Sequence, residues 1–342
     1  MNMIKIQKQD WEKGLEKLKS GYELFGPVVD KDAWEFRKLE PDQLPVLGMA
    51  NTRLSAKSTV FPQSQVMFRY SLEPSKEDSG GMQAEGLDVK PRAVLGIRPC
   101  DAASFQLVKK NFDNHEYPDP YWVKPFEQTT FIGFACDQPL QTCFCTSVGG
   151  GPYGEDGLDL LFSENGDHFI AKALTEKGNL LAKAAGWQTE GDAAELEAKK
   201  VAAEKKISTT VATDRIKTSS VLDLFNAPFW EEIAFACLNC GTCTFSCPTC
   251  WCFDIQDEVK GTEGKRMRNW DSCMFPLFTL EGSGHNPRPK KEQRVRQRFM
   301  HKLKYYPDKY GSDVQCVGCG RCIQLCPVNI DIRQVCESMN NL

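Results

Sequence analysis

Two cysteine runs constrain this chain more than anything else in it. The first reads Cys237-Leu-Asn-Cys240-Gly-Thr-Cys243-Thr-Phe-Ser-Cys247-Pro248, the second Cys316-Val-Gly-Cys319-Gly-Arg-Cys322-Ile-Gln-Leu-Cys326-Pro327. Both follow C-x2-C-x2-C-x3-C-P, the spacing with which bacterial ferredoxins hold 4Fe–4S clusters. Three thiolates two residues apart wrap one face of a cubane. The fourth cysteine, followed by a proline that turns the chain away, reaches the neighbouring cube instead. The crossing assigns Cys237, Cys240, Cys243 and Cys326 to one cluster and Cys316, Cys319, Cys322 and Cys247 to a second. Gly241, Gly318 and Gly320 are expected to let the backbone come close to the sulfurs.

Zinc and disulfides are the competing uses of such cysteines. Four cysteines ending in Cys-Pro, twice over, over-fill a tetrahedral zinc site. Disulfides need an oxidising compartment, and the first twenty or so residues mix Lys and Glu without the apolar stretch of a secretion signal. Sixteen cysteines in 342 residues without such a signal therefore read as metal ligation in a reducing cytoplasm. A net charge of −4 gives nucleic-acid binding no support, and no stretch is apolar for long enough to span a bilayer. The four histidines, His115, His168, His285 and His301, form no cluster and read as surface or core residues.

The length suits about two domains, with a boundary near residue 190. Residues 1–190 read as an α/β domain. Apolar side chains at Ile4, Trp11, Leu15 and Leu18 suggest an amphipathic helix over 4–20, Val46–Met49 a strand, and 55–70 a loop then a strand. Residues 73–90 read as an exposed loop. Ala93–Ile97 and Thr129–Ala135 are short apolar runs that read as buried strands joined by a helix over 102–111. Such strands pair in parallel, which brings Cys100 and Cys136 to the carboxyl edge of the sheet, where open α/β sheets bind ligands. Cys143-Phe-Cys145 follows in a loop. Four thiols on one edge are enough for a third cubane, with zinc or inert buried thiols as the other readings.

Gly149-Gly-Gly-Pro-Tyr-Gly154 spells G-x-G-x-x-G but follows a cysteine loop and leads into turns, not a helix, so it is no dinucleotide fingerprint. A turn, or amides lying over cluster sulfurs, suits it better. Asp156 and Asp159 read as solvated. The strands 158–162 and 168–174 form a hairpin, and Asp192-Ala-Ala-Glu195 resembles a capping box opening a helix to Ile207. Further helices start at Ser220 and Pro228.

Residues 191–342 read as an α-helical bacterial-type two-cluster ferredoxin domain with an insertion over about 253–312. Nine Lys and Arg in 285–310, against Glu292 and Asp308, make either a solvated helix face or a counter-charge for anionic clusters or an acidic partner. Cys250, Cys252 and Cys273, with the distant Cys336, form either a further site or buried thiols.

Taken together these residues resemble a family: the iron–sulfur subunits of cytoplasmic, anaerobic multi-subunit oxidoreductases. It includes sulfhydrogenase beta subunits, the iron–sulfur subunits of anaerobic sulfite reductases and the iron–sulfur proteins of flavin oxidoreductases linked to heterodisulfide reductase. The resemblance rests on Arg98-Pro-Cys-Asp101, Cys143–Ser147, Cys247–Asp257, Trp270–Cys273, the Asn-Pro-Arg at Asn286 and the second run, and spans about residues 55–335. It implies a third cluster on Cys100, Cys136, Cys143 and Cys145. It also implies a non-catalytic member of a hetero-oligomer, relaying electrons between a flavin-containing NAD(P)H subunit and a catalytic subunit of hydrogenase, sulfite reductase or heterodisulfide reductase type. The alternative is a catalytic subunit that reduces a small sulfur compound at the N-terminal cluster.

Overall fold

Short apolar runs flanked by prolines set the centre of the molecule. The computed structural model describes residues 3–75 and 79–342. Its strands are β1 (Met3–Gln7), β2 (Glu23–Asp30), β3 (Ala33–Lys38), β4 (Ser64–Ser71), β5 (Gln83–Ala84), β6 (Arg92–Ile97), β7 (Thr129–Phe134), β8 (Leu160–Asn165), β9 (His168–Ala173), β10 (Thr189–Glu190), β11 (Phe253–Lys260) and β12 (Glu263–Trp270). Eight of them form one mixed sheet in the order β10-β1-β9-β8-β7-β6-β2-β3. Its middle, β8-β7-β6-β2, is parallel, as the buried runs of β6 and β7 require. Alternate side chains supply the two faces: Leu95, Ile132, Leu160 and Phe162 pack on Trp11 and Leu15, while Val94, Phe131 and Leu161 pack on Phe105 and Trp122.

Several local readings change. The stretch 4–20 is strand β1 followed by a helix over Lys8–Leu18, because β1 is captured as an inner strand between β9 and β10. Val46–Met49 is loop, not strand. The helix after β6 begins at Pro99 and runs to Phe112, so Cys100 sits in its first turn, with Pro99 at the position that suits proline. Asp192 caps its helix by accepting from Ala194 N, but the Glu195 carboxylate turns to Asn165 and His168, so no capping box closes. Asp159 is buried, accepting from Phe131 N at 2.8 Å and Thr175 Oγ1 at 2.5 Å; it is a structural carboxylate, not a solvated one.

The eight-stranded sheet is built from residues 3–190, but β4 and β5 leave it. They join β11 and β12 in a four-stranded antiparallel sheet, β11-β12-β4-β5, which draws strands from both sides of residue 190. The rest of the C-terminal half is short helices around a core of Trp230, Phe299, Leu303, Val335 and Met339. Among the described residues no helix is long and apolar enough to cross a membrane.

Candidate iron–sulfur sites

Both cysteine runs fold alike, for a reason visible in their spacing. Asn239 and Gly318, each just before the second cysteine, have φ of 53° and 61°, and Gly241 and Gly320, just after it, have φ of 76° and 73°. Two left-handed residues flanking one cysteine curl the loop, and a one-turn helix then delivers the third cysteine. The glycines also serve close approach, but not to sulfur. A Cβ on Gly318 would lie 2.5 Å from Cys145 N, and one on Gly320 2.6 Å from Thr142 O. The second run is thus seated directly on the Cys143–Cys145 loop, where Phe144 N donates to Gly318 O at 2.9 Å.

Three thiol-lined hollows result. Cys237, Cys240, Cys243 and Cys326 line the first, which has about 510 Å³ of free space. Cys247, Cys316, Cys319 and Cys322 line the second, of about 330 Å³. Cys100, Cys136, Cys143 and Cys145 line the third, of about 370 Å³. Among the described residues no three His, Cys, Asp or Glu groups converge tightly enough to hold a single metal ion. Instead, four or more cysteines line each hollow together. Adjacent hollows share walls: Cys322 and Arg298 line the first and second, and Cys319 the second and third. The third hollow abuts the second, because the second run packs on the Cys143–Cys145 loop.

The electrostatics of this region call for an anion. Arg298, Lys302 and Lys57 are each at least 94% buried, and among the described residues none has a carboxylate within ion-pair distance. Lys57 Nζ donates to the carbonyls of Thr244, Cys247 and Cys250 at 3.1–3.3 Å and lies 4.0 Å from the Trp270 ring centre; burial brings its ammonium down to about 8. Lys302 donates to Thr249 Oγ1 at 2.7 Å. Burial pushes it down, but the sulfurs of Cys247 and Cys250 outweigh that and hold it above its ordinary value. Arg298 Nε has no partner. Buried cations with no carboxylate are costly unless an anion faces them, and a thiolate-ligated 4Fe–4S cluster is such an anion. The donor set therefore fits the group. Burial pushes several of the thiols up, Cys143 to about 11 and Cys145 and Cys319 to about 12, so ligation must draw protons off these; Cys247 is instead held well down, chiefly by the Cys250 thiol.

The basic run is therefore not a solvated face. Arg294, Arg298, Lys302 and Lys304 are buried, carried on the helix Lys291–Met300 and the π-helical turn His301–Tyr305 that continues it. The other polar residue of note is Arg321, in the second run. It makes a two-point ion pair with Asp101 at 2.5 and 2.6 Å and donates to Thr52 O at 2.8 Å. Arg98 donates to Phe134 O and Ala135 O at 3.1 and 2.7 Å, fastening the strand end before Cys136. Spacing of cysteines says nothing of these cations. The signal for Arg298 and Lys302 is their four-residue interval, one helix face.

The Gly149–Gly154 stretch is a turn. Gly150 N donates to Cys145 O at 3.0 Å and Gly154 N to Gly151 O at 3.1 Å, and no helix follows it. It edges an open cleft whose lining includes Cys100, Cys145 and Cys316. The unmatched cysteines divide. Cys336 packs in the core with Val335 and Met339. Cys250 lies against Cys247, and Cys252 against Cys273; a hydrogen bond from Cys273 holds the Cys252 thiol down at about 7.

Residues 236–330 match the family described as 4Fe-4S dicluster domain. Over 99% of its length the chain is 28% identical to "Sulfhydrogenase 2 subunit beta" of Pyrococcus furiosus, covering 98% of that protein. No solved structure matches. The chain carries a 4Fe–4S dicluster domain and is similar from end to end to a sulfhydrogenase beta subunit, which together support an iron–sulfur electron-transfer subunit of that type.

Proposed function

We propose that the chain relays single electrons through three 4Fe–4S clusters in a row. One is held by Cys237, Cys240, Cys243 and Cys326, one by Cys247, Cys316, Cys319 and Cys322, and one by Cys100, Cys136, Cys143 and Cys145. The ends of the row serve a flavin subunit that handles NAD(P)H and a catalytic subunit of hydrogenase, sulfite reductase or heterodisulfide reductase type, in a cytoplasmic complex. The carrying observation is that consecutive thiol-lined hollows share walls, which is what short electron hops need. The clusters, when bound, supply the one-electron chemistry. The protein's own residues fix the sulfurs, exclude water and set the surrounding charge. Hydrogen bonds onto sulfur tune such clusters, and Asn239 N to Cys237 Sγ at 3.4 Å and Ile330 N to Cys326 Sγ at 3.2 Å are of that kind.

The reading predicts about twelve iron and twelve acid-labile sulfide per anaerobically purified chain. Cys100→Ser and Cys143→Ser should each lose about four irons, leaving the dicluster pair reducible. A wild-type count near eight, or an unchanged count in both variants, removes the third cluster.

The cleft over Cys100 and Cys145 favours one second reading, a site where a small sulfur compound meets the N-terminal cluster. Turnover of such a compound by the isolated, cluster-loaded chain with an artificial reductant would establish it. Reduction of the clusters without turnover leaves the relay.

A further inference from the structure

Cys252 and Cys273 belong to none of the three hollows. The hairpin β11–β12 brings them together. Its register pairs Phe253 with Trp270, and one step beyond, Asp271 N donates to Cys252 O at 3.0 Å. The chain then turns sharply, with Ser272 Oγ bonded to Thr244 Oγ1 at 2.7 Å, and folds Cys273 back over Cys252. Both side chains lie in one buried cluster, with their sulfurs close enough to act on one another. Cys273 is only 7% exposed. No third ligand completes a metal site around the pair among the described residues. Cys250, next to them in sequence, lies instead against Cys247, a residue lining the second hollow. Lys57, whose Nζ holds the carbonyls of Cys247 and Cys250, ties this corner to that hollow.

We propose that Cys252 and Cys273 form a redox-active dithiol, a two-electron store beside the one-electron relay. Oxidation forms the Cys252–Cys273 sulfur–sulfur bond, breaks the two S–H bonds and releases two protons and two electrons. With clusters bound in the hollows, two oxidised ones would each accept one of the electrons, and the protons go to solvent. In reverse, the disulfide would take up two protons and two electrons, one from each of two reduced clusters, and return to the dithiol. The destination of the electrons rests on the relay reading; formation of the bond does not. Such a store lets a pair of electrons delivered together, as a hydride donor delivers them, be spent singly.

The test uses the whole cluster-loaded protein under anaerobic conditions. It is poised in mixtures of reduced and oxidised dithiothreitol, quenched in acid, denatured and alkylated with N-ethylmaleimide before mass analysis. Cluster ligands come out of the quench as free thiols. At the oxidising end, two of the sixteen cysteines should escape labelling, and the peptide map should show Cys252 joined to Cys273. In Cys273→Ser all remaining thiols should label, iron content should stay at the wild-type value, and dithionite titration should take about two fewer electron equivalents. Full labelling of wild type at every poise overturns the proposal, as does a disulfide between other cysteines. Loss of iron or zinc in Cys252→Ser and Cys273→Ser overturns it too, since the pair would then be metal ligands. A low wild-type iron count with the disulfide present overturns the relay reading and leaves the dithiol standing.

Discussion

Two residues show how charge and sulfur divide the work. Cys247 closes the first run in sequence but lines the second hollow. Cys247→Ala should therefore damage the cluster of Cys316, Cys319 and Cys322 and spare that of Cys237, which distinguishable EPR signals can resolve. Selective loss of the Cys237 signal would contradict the crossing. Arg298 is the buried cation that lines both of these hollows, and it donates to Cys243 O at 3.3 Å. Reduction adds negative charge to a cluster, so a nearby cation favours the reduced state. Arg298→Gln should lower both midpoint potentials by on the order of 1–3 kcal/mol, or roughly 40–130 mV for one electron. A shift confined to one cluster in an EPR-monitored redox titration would show that the guanidinium serves only that side.

At the scale of elements, the helix from Lys291 to Tyr310 carries most of the electrostatics. Its π-helical turn, His301–Tyr305, changes the phase of the helix where Lys302 must face the second hollow while His301 packs against Trp251, ring centres 5.6 Å apart. Such turns recur at functional sites. Burial, then the nearby Lys302, Lys309 and Arg288 charges, push His301 from 6.5 down to about 4. Its folded pKa lies below the unfolded one, so the folded state binds fewer protons between these values. The stability this neutral histidine permits is fully present above pH 6.5 and is lost as pH falls toward 4. Between pH 7 and 5.5 the loss should be about 1 kcal/mol. His301→Gln should flatten that part of the pH dependence of denaturant unfolding. An identical slope in the variant would place the acid sensitivity elsewhere.

Across the whole molecule, the two halves are joined by polar contacts that cysteine spacing cannot encode. The ion pair of Arg321 with Asp101 is 1% exposed on both sides and links the second run to the helix that bears Cys100. Removing one partner leaves a buried, uncompensated charge. Arg321→Ala should cost about 3–5 kcal/mol and loosen the third hollow, lowering thermal stability and iron content together. The double variant Arg321→Leu/Asp101→Leu should recover much of the stability, since an apolar pair of similar size avoids the unpaired charge. A single variant as stable as wild type would mean the halves are held by the shared sheet and apolar packing alone.

How much of this was legible in the sequence follows from the range of each interaction. The cysteine runs and the short apolar runs of β6 and β7 are local patterns, set by spacing and by run length, and they can be read directly. The seating of Gly318 on Cys145, the exchange of β4 into a sheet with β12, and the inward turn of Arg298 and Lys302 join residues far apart in the chain. A basic run looks the same in sequence whether water or a cluster neutralises it. Only packing decides which, because burial is what makes an unpaired cation demand an anion. Val46–Met49, apolar enough for a strand, is loop: Val46 N donates to Pro27 O of β2 at 2.8 Å, but no ladder continues from that bond. The sequence by itself determined which thiols are available and the grouping proposed for them as cluster ligands. The tertiary structure decided the order of the three hollows, the charges between them and the meeting of Cys252 with Cys273, since each depends on long-range contacts that no local spacing specifies.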